Sequence, residues 1–202
     1  MDSCLVLFGK VPIPGRCKTR LCPPLTHEEA AGLYAGFLRE VVVASQRIPD
    51  VALRLAVYPW ERRAELPDPD LAVDMMPQEG AKLGERLENA FVSCFAEGFT
   101  RVVIRNTDSP CLPEARVCAA FERLMDPAID LVLGPDYGGG YYLIGAKRAL
   151  PCQLIEALEG SPHEVFQRTL GAARRAGLVT AVLRSEHDID VPADLDLLEQ
   201  PR

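Results

Sequence analysis

Short apolar segments alternate with helical segments along the whole chain, and this alternation restricts the possible folds more than any other feature. Residues 3–8 and 101–105 have the character of buried strands, whereas residues 82–97 have apolar side chains at helical spacing. A chain of this kind forms a mostly parallel sheet with helices on both faces. We therefore expect an α/β fold, a single three-layer α/β/α domain with a Rossmann-like sheet.

The predicted elements leave no linker between them. Thr26 and Glu29 form a capping-box pattern at the start of the first long helix. The sequence predicts strands at 3–8, 51–58, 71–75, 101–105, 130–133, 141–146 and 178–183, and helices at 26–46, 82–97, 113–125, 151–158, 163–176 and 194–199. Because no repeat or low-complexity stretch interrupts this series, residues 1–202 are interpreted as one domain.

Composition narrows the class of protein. Hydrophobic residues make up 48% of the chain, which is enough for a core without stabilising cross-links. The seven cysteines are odd in number and none are spaced C-x-x-C, a pattern that favours free thiols over a zinc site or a disulfide framework. A helix needs about 18 consecutive apolar residues to span a bilayer, and no apolar run in the sequence approaches this length. The expectation is a cytoplasmic protein with no membrane partner.

Charge is distributed unevenly. The formal net charge is −7, which argues against a nucleic-acid partner because such proteins present a basic surface. Between Asp2 and Glu28, however, the chain has no acidic residue and four cations, namely Lys10, Arg16, Lys18 and Arg20. A local cationic segment in an acidic protein indicates a small anionic ligand.

The four cations lie in a loop, residues 9–21, that follows the first strand. In a parallel α/β sheet this loop is at the carboxyl edge, where ligands bind. Gly9 and Gly15 would let the backbone approach phosphate oxygens, and Lys18 and Arg20 would supply charge, with an effect on ligand affinity and little effect on folding. Gly15 is followed by Arg16, so the loop is not a Walker A motif. The alternative is a solvated basic loop.

Asp108 is the first candidate metal ligand. It follows the apolar strand 101–105 and precedes Pro110, so its carboxylate is expected at the same edge of the sheet as the first loop. A carboxylate there is suited to Mg²⁺ or Mn²⁺ bridging the phosphates of a nucleotide. The alternative is a helix cap for the helix that follows Pro113.

Two further segments carry candidate residues. Residues 138–140 are a glycine run that predicts either a tight turn or a backbone lying against a ligand. Asp188 and Asp190 share a face if their segment is extended. Asp190, which precedes Val191-Pro192, is the preferred second metal ligand, whereas Asp188 is either an additional ligand or simply exposed. Both acids could instead cap the last helix.

Five motifs in the same order give the chain a resemblance to a known family. They are K-x-P-x-P-G-x-x-K-T-R-L at 10–21, L-G-E-R-L at 83–87, T-D-S-P-x-L-P at 107–113, L-G-P…G-G-Y-Y-L-I-G at 133–145 and D-I-D-x-P-x-D-L at 188–195. The chain resembles the glycosyltransferase-like family related to 2-phospholactate guanylyltransferase, within the nucleotide-diphospho-sugar transferase superfamily. Two positions depart from that family, which has glycine where Asn106 stands and an acid where Gly138 stands.

The resemblance implies a glycosyltransferase type A fold and a transferase that uses a nucleotide or nucleotide-sugar, a small acceptor and Mg²⁺ or Mn²⁺. Glycosyl and nucleotidyl transfer are both open, and the alternatives are a nucleotide-binding protein with little or no turnover or a module that binds no nucleotide. Asp136 could replace the missing acid only if the glycine run folds back. The candidate catalytic residues are Lys18, Asp108 and Asp136; the candidate metal ligands are Asp108 and Asp190; the candidate nucleotide-binding residues are Gly9, Lys10, Gly15, Arg16, Lys18, Arg20, Arg86 and Gly139.

Overall fold

A computed structural model describes residues 1–67, 73–158 and 163–198 of the chain. The described residues form a sheet of seven strands and five α-helices. The strands are β1 Ser3–Lys10, β2 Ala52–Tyr58, β3 Asp74–Pro77, β4 Arg101–Asn106, β5 Leu131–Pro135, β6 Tyr141–Ala146 and β7 Thr180–Val182. The α-helices are α1 His27–Ser45, α2 Leu83–Ala96, α3 Glu114–Met125, α4 Cys152–Ala157 and α5 Val165–Arg175. Short 3-10 helices lie at Thr19–Leu21, Trp60–Glu65 and Pro192–Leu198.

The sheet is mostly parallel, with the strand order β3-β2-β1-β4-β6-β5-β7. Strand β6 is the exception, because it runs antiparallel to both β4 and β5. Only five residues connect β5 to β6, and so short a connection permits a hairpin but not a crossover to a parallel neighbour. The predicted mostly parallel sheet is confirmed.

Helices cover both faces of the sheet. Leu5 and Leu7 of β1 pack with α1 and α3 in one buried cluster, whereas Cys4 and Val6 pack with α2, α4 and α5 in another. Successive residues of a strand point to opposite faces, so a strand that is apolar throughout is covered on both sides. The three-layer α/β/α architecture follows from this pattern.

The predicted elements are found, with small differences at their ends. Helix α1 starts at the predicted capping box, in which Thr26 Oγ1 accepts from the Glu29 amide and the Glu29 carboxylate accepts from the Thr26 amide. The third strand begins at Asp74 rather than near residue 71, and residues 71 and 72 lie outside the described part of the chain. The last helical turn is a 3-10 helix, Pro192–Leu198, and Glu199 is also outside the described residues. In the described ranges, no helix has the length and hydropathy of a bilayer span.

Candidate active site

Three segments meet at the carboxyl edge of the central strands. Strands β1 and β4 are parallel neighbours, and Phe8 pairs with Asn106, so the loops that follow them leave the sheet side by side. The C-terminal segment joins them, because the Ile189 amide donates to the Asp108 carbonyl at 3.2 Å. The first loop, the T-D-S-P segment and the D-I-D segment predicted from sequence are therefore brought together.

A buried hydrogen-bond network supports the first loop from below. The Tyr34 hydroxyl accepts from the Lys10 amide at 2.8 Å and lies 2.7 Å from Thr107 Oγ1. Thr107 also donates to the Phe8 carbonyl. Because Tyr34 belongs to α1, the network fixes β1, β4 and α1 relative to one another directly beneath the loops.

The cations of the first loop have different environments. Gly15 has a φ of 73°, a left-handed conformation that favours glycine, and Arg16 is exposed next to it at the tip. Lys10 is also exposed at the end of β1, and the side chain of Arg20 is 59% exposed. These three side chains project where an anionic ligand could reach them.

Lys18 is different, because only 3% of its side chain is exposed. Its ammonium lies 2.7 Å from Asp108 Oδ1, and it donates to Asp190 Oδ1 at 2.9 Å and to the Ile189 carbonyl at 2.6 Å. Burial disfavours the charged amine, but the two carboxylates outweigh burial and raise the pKa of Lys18. The ammonium connects all three segments of the site.

The burial and ion pairs of Lys18 argue against the expectation that this residue contributes little to folding. Lys18 has a left-handed backbone, with a φ of 49°, immediately before the 3-10 helix Thr19–Leu21. This turn directs the side chain inward toward the D-I-D segment, whereas Arg20 stays outside. The sequence showed four cations in one loop. It did not show that Lys18 is buried while Arg20 is exposed, because this difference depends on the backbone turn at Lys18.

Asp108 and Asp190 converge on one point, since both contact the same Lys18 ammonium. Their side chains are 35% and 48% exposed, so each also faces the open edge. Among the described residues, no group of three or more His, Cys, Asp or Glu side chains is arranged to hold a metal ion. Two carboxylates fit Mg²⁺ or Mn²⁺, because Mg²⁺ is held by one or two protein carboxylates together with substrate phosphates and water.

Asp188 is neither exposed nor beside Lys18. It accepts from Asn106 Nδ2 at 3.0 Å and from the Ser109 hydroxyl, within the β4 side of the site. Burial raises the pKa of Asp188 to about 6; the Ser109 hydrogen bond lowers it in part, and the charges of Asp136 and Asp108 raise it. The residue is held by Asn106, which is one of the two positions where the chain departs from the family pattern.

Arg105 is a site residue that the sequence analysis missed. Its guanidinium is buried, with the residue only 4% exposed, and it donates to the Asn106 carbonyl at 3.1 Å and to the Ser109 carbonyl at 2.8 Å. These two carbonyls flank Asp108, so Arg105 holds the turn that presents the carboxylate. The available signal was a charged residue at the end of an otherwise apolar strand.

The glycine run folds back on Asp136. The Gly140 amide donates to Asp136 Oδ1 at 2.9 Å, and the Asp136 amide donates to the Gly140 carbonyl. The condition under which Asp136 could replace an acid at Gly138 is thus met, because its carboxylate lines a cavity at the site. Burial raises the pKa of Asp136 although glycine amides of the turn lower it in part.

Two glycines of the nucleotide-binding set have packing roles instead. A Cβ on Gly139 would lie 2.1 Å from the His163 carbonyl oxygen, and its φ is 94°, so this glycine permits the turn to pack against the chain before α5. Gly9 is buried within β1, and a Cβ there would meet Leu55 and Leu38 at 3.0 and 3.1 Å. A Cβ would meet backbone atoms at Gly139 but only side-chain atoms at Gly9, and the approach of either backbone to phosphate stays a prediction.

Arg86 lies at the same edge but away from Lys18. Its guanidinium stacks over the Tyr58 ring at 3.7 Å and donates to the Gly80 carbonyl at 2.9 Å. Tyr58 ends β2, the neighbour of β1, and pairs with Lys10. Arg86 is therefore on the β2 side of the first loop, and Asp136 is on the β5 side.

A cavity of about 410 Å³ opens between the first loop and the glycine turn. Its lining includes Arg20, Asp136, Asp188 and Asp190. A larger cavity, of about 520 Å³, lies behind the D-I-D segment and is lined by side chains such as Arg47 and Glu114. The smaller cavity is the better candidate for substrate, because it contains the candidate metal ligand Asp190 and an exposed cation of the first loop.

Comparisons with known proteins show the family and the fold of the chain. Residues 35–161 match the family described as "Uncharacterized protein conserved in bacteria (DUF2064)". A solved structure from Desulfovibrio desulfuricans G20, assigned as a nucleotide-diphospho-sugar transferase, is 30% identical in sequence, with a TM-score of 0.87 over 98% of this chain and 87% of that chain.

More distant structures have the same fold. A CMP:2-keto-3-deoxy-manno-octonic acid synthetase complexed with CTP is 13% identical, with a TM-score of 0.58 over 98% of this chain and 97% of that chain. The 2-C-methyl-D-erythritol 4-phosphate cytidylyltransferase from Thermus thermophilus is 17% identical, with a TM-score of 0.53 over 98% of each chain. The chain therefore belongs to the DUF2064 family and has the nucleotide-diphospho-sugar transferase fold.

Proposed function

We propose that the protein is a transferase that moves a nucleotidyl or glycosyl group from a nucleoside triphosphate or a nucleotide-sugar to a small acceptor, with the help of Mg²⁺ or Mn²⁺. The observation that carries the proposal is the convergence of Asp108, Asp190 and Lys18 beside the exposed cations of the first loop. The 30% identical structure assigned as a nucleotide-diphospho-sugar transferase supports it, as does the fold shared with the two cytidylyltransferase-type enzymes.

The charges are arranged for a polyphosphate. Arg16 and Arg20 are exposed in the first loop, and Arg20 Nη1 lies 3.8 Å from Asp190 Oδ2. Phosphate oxygens would meet the guanidinium groups of the loop on one side and the carboxylate pair on the other. A divalent ion held by Asp108 and Asp190 would neutralise charge that develops on the phosphates. Fixed cations at this position stabilise the leaving group without reorganising during the reaction.

Lys18 has a positioning role in this proposal. Its ammonium keeps Asp108 and Asp190 together, although they belong to segments far apart in sequence. Asp136 is proposed as the residue that orients the acceptor or takes its proton, because its partly buried carboxylate lines the cavity next to Asp190. The alternative is nucleotide binding without turnover. It follows if the hydrogen bonds from the glycine turn leave the Asp136 carboxylate unable to act on an acceptor.

The test begins with binding and proceeds to turnover. Melting temperatures are measured for the purified protein with a panel of nucleoside triphosphates and nucleotide-sugars, with and without Mn²⁺. A ligand at 100 times its dissociation constant stabilises a protein by about 2.7 kcal/mol, which is readily visible in such a scan. If no nucleotide raises the melting temperature under any of these conditions, the proposal is wrong.

The products then distinguish the two chemistries. Attack on the α-phosphorus of a nucleoside triphosphate releases pyrophosphate, whereas attack on the sugar carbon of a nucleotide-sugar releases a nucleoside diphosphate. Nucleotide binding without either product, across a broad acceptor panel, would favour the alternative of a binding protein with little or no turnover.

A further inference from the structure

The 410 Å³ cavity between the first loop and the glycine turn has an excess of negatively charged side chains. Four carboxylates line it, from Asp136, Asp188, Asp190 and Asp194, against one guanidinium, from Arg20, among the described residues. Asp190 is already compensated, because Lys18 donates to its Oδ1 at 2.9 Å and Arg20 Nη1 lies 3.8 Å from its Oδ2, so the excess of negative charge comes from Asp136, Asp188 and Asp194. The volume falls within the range of small-molecule sites, about 300–1,000 Å³.

An aromatic surface forms part of the same cavity. The rings of Tyr137 and His187 have centroids 4.2 Å apart, and both residues line the cavity. Tyr137 is 62% exposed, so its ring is accessible to a molecule in the cavity. Exposed rings of this kind offer a flat face to the C–H groups of a sugar ring, while carboxylates nearby accept hydrogen bonds from its hydroxyls.

The proposed donor would make the cavity more negative. A nucleoside triphosphate carries more negative charge than a single divalent ion compensates, and Arg20 of the first loop is itself part of the cavity lining. An acceptor bearing a phosphate would therefore meet both the donor phosphates and the four carboxylates. Like charges within a few ångströms at a partly buried site are strongly unfavourable.

We propose that the acceptor is a polyhydroxylated compound without an anionic group, such as a free sugar, a cyclitol or an amino sugar, which packs against Tyr137 and donates hydroxyl hydrogen bonds to the carboxylates of the cavity. This inference rests on the proposed transferase function and adds the chemical class of its acceptor. It excludes sugar phosphates and sugar acids as acceptors. It also places the acceptor on the glycine-turn side of Asp190 and the donor on the side of Arg16.

The experiment uses ligand-observed saturation-transfer NMR on the full chain. The probes are D-glucose, D-mannose, D-galactose and myo-inositol, each compared with its phosphate ester, and D-glucosamine as a cationic analogue. We expect at least one neutral probe to bind at least about tenfold more tightly than its phosphate ester at low salt. Raising the salt concentration should reduce this difference, because it screens the repulsion.

Two variants distinguish binding of the probes in the cavity from binding elsewhere on the surface. Tyr137→Ala should abolish the signal of the neutral probe, whereas Met125→Ala, at a residue of similar exposure on α3, should preserve it. D-glucosamine should bind at least as tightly as D-glucose, and the inference is overturned if a phosphate ester binds more tightly than its neutral counterpart. It is also overturned if no neutral probe gives a signal that depends on Tyr137.

Nucleotide binding is measured separately by thermal shift on the same samples. If the nucleotide binds and the neutral probes do not, the acceptor inference fails while the proposed function survives. If no nucleotide binds, the proposed function fails by its own test. The two failures are therefore distinguishable.

Discussion

Lys18 Nζ lies 2.7 Å from Asp108 Oδ1 and 2.9 Å from Asp190 Oδ1, so that one buried ammonium joins two carboxylates from distant parts of the chain. The same ammonium donates to the Ile189 carbonyl. It is the contact by which the first loop, the β4 loop and the C-terminal segment form one site. Removing it should therefore affect the whole site.

We predict that Lys18→Met lowers the free energy of unfolding by about 1–3 kcal/mol, because it leaves two carboxylates and a carbonyl without their shared donor. The lower end is expected, since Asp108 and Asp190 are partly solvated. Arg20→Met is the matched control in the same loop, and its exposed side chain should be lost with little change in stability. Urea denaturation of the two variants measures the difference. Equal stability of Lys18→Met and wild type would show that the ammonium does not hold the site together.

Asp108→Asn should reduce the enhancement of nucleotide binding by Mn²⁺ at least about tenfold, a loss typical even of residues around metal ligands. The amide keeps the size of the side chain but removes the charge that a divalent ion requires. Asp190→Asn is expected to act in the same direction. Nucleotide dissociation constants are measured with and without Mn²⁺, using Asp126→Asn as an exposed control. An unchanged Mn²⁺ effect in both site variants would show that neither residue is a metal ligand.

The sequence predicted the sheet and the meeting of the three segments, because alternating strands and helices place successive loops at one edge. It did not predict that Lys18 is buried while Arg20 is exposed, since that depends on the backbone turn at residue 18. It also missed Arg105, because a charged residue at a strand end does not by itself indicate burial, and this burial follows from the central position of β4 in the sheet. Close approach of distant backbones, as at Gly139 and His163, is likewise a property of the tertiary structure.

The pKa of Asp188 is raised from its ordinary value of 3.8 to about 6, which makes stability depend on pH. Between these two values the folded protein binds a proton that the unfolded chain has released. The stabilisation from this group is therefore complete below about pH 4 and is lost as pH rises through about 6, with an upper limit of about 3 kcal/mol.

Asp188→Asn removes this titration, so the stability of the variant relative to wild type should increase as pH rises from 4 to 7. Unfolding free energies of both proteins, measured in EDTA across this range, test the prediction. A difference between the two proteins that is constant with pH would contradict it. The remaining carboxylates titrate in both proteins, so their direct contributions largely cancel in the comparison.

Gly139→Ala should destabilise the protein severely, by about 2 kcal/mol or more, because it adds a Cβ at positive φ against backbone. Gly138→Ala is the matched control, since a Cβ there meets Asp136 Oδ1 at 3.2 Å and no backbone atom. It should cost less than about 1 kcal/mol. Melting temperatures of the two variants decide the question. Similar values would show that the glycine turn is not packed against His163 as tightly as the structure indicates.

The last prediction concerns Asp136, which we propose replaces the acid missing at Gly138. Asp136→Asn keeps an oxygen that can accept from the Gly140 amide, so the turn and nucleotide binding should survive. Turnover, once a donor and an acceptor are found, should fall about 100-fold or more if the carboxylate orients the acceptor or takes its proton. Asp126→Asn is the control, because that exposed acid also accepts a backbone hydrogen bond, from Ala128.

Adding an acid at the neighbouring position gives the complementary result. Gly138→Asp places a second carboxylate beside Asp136, whose Oδ1 would lie 3.2 Å from the new Cβ. If Asp136 orients the acceptor or takes its proton, Gly138→Asp alone should lower turnover, because the two carboxylates repel each other. In the double variant with Asp136→Asn, the new carboxylate should restore turnover if it can take over the role of Asp136. Wild-type turnover that is indifferent to Asp136→Asn would show that the proton is taken elsewhere, and the acid at this turn would then serve only to hold the glycine amides.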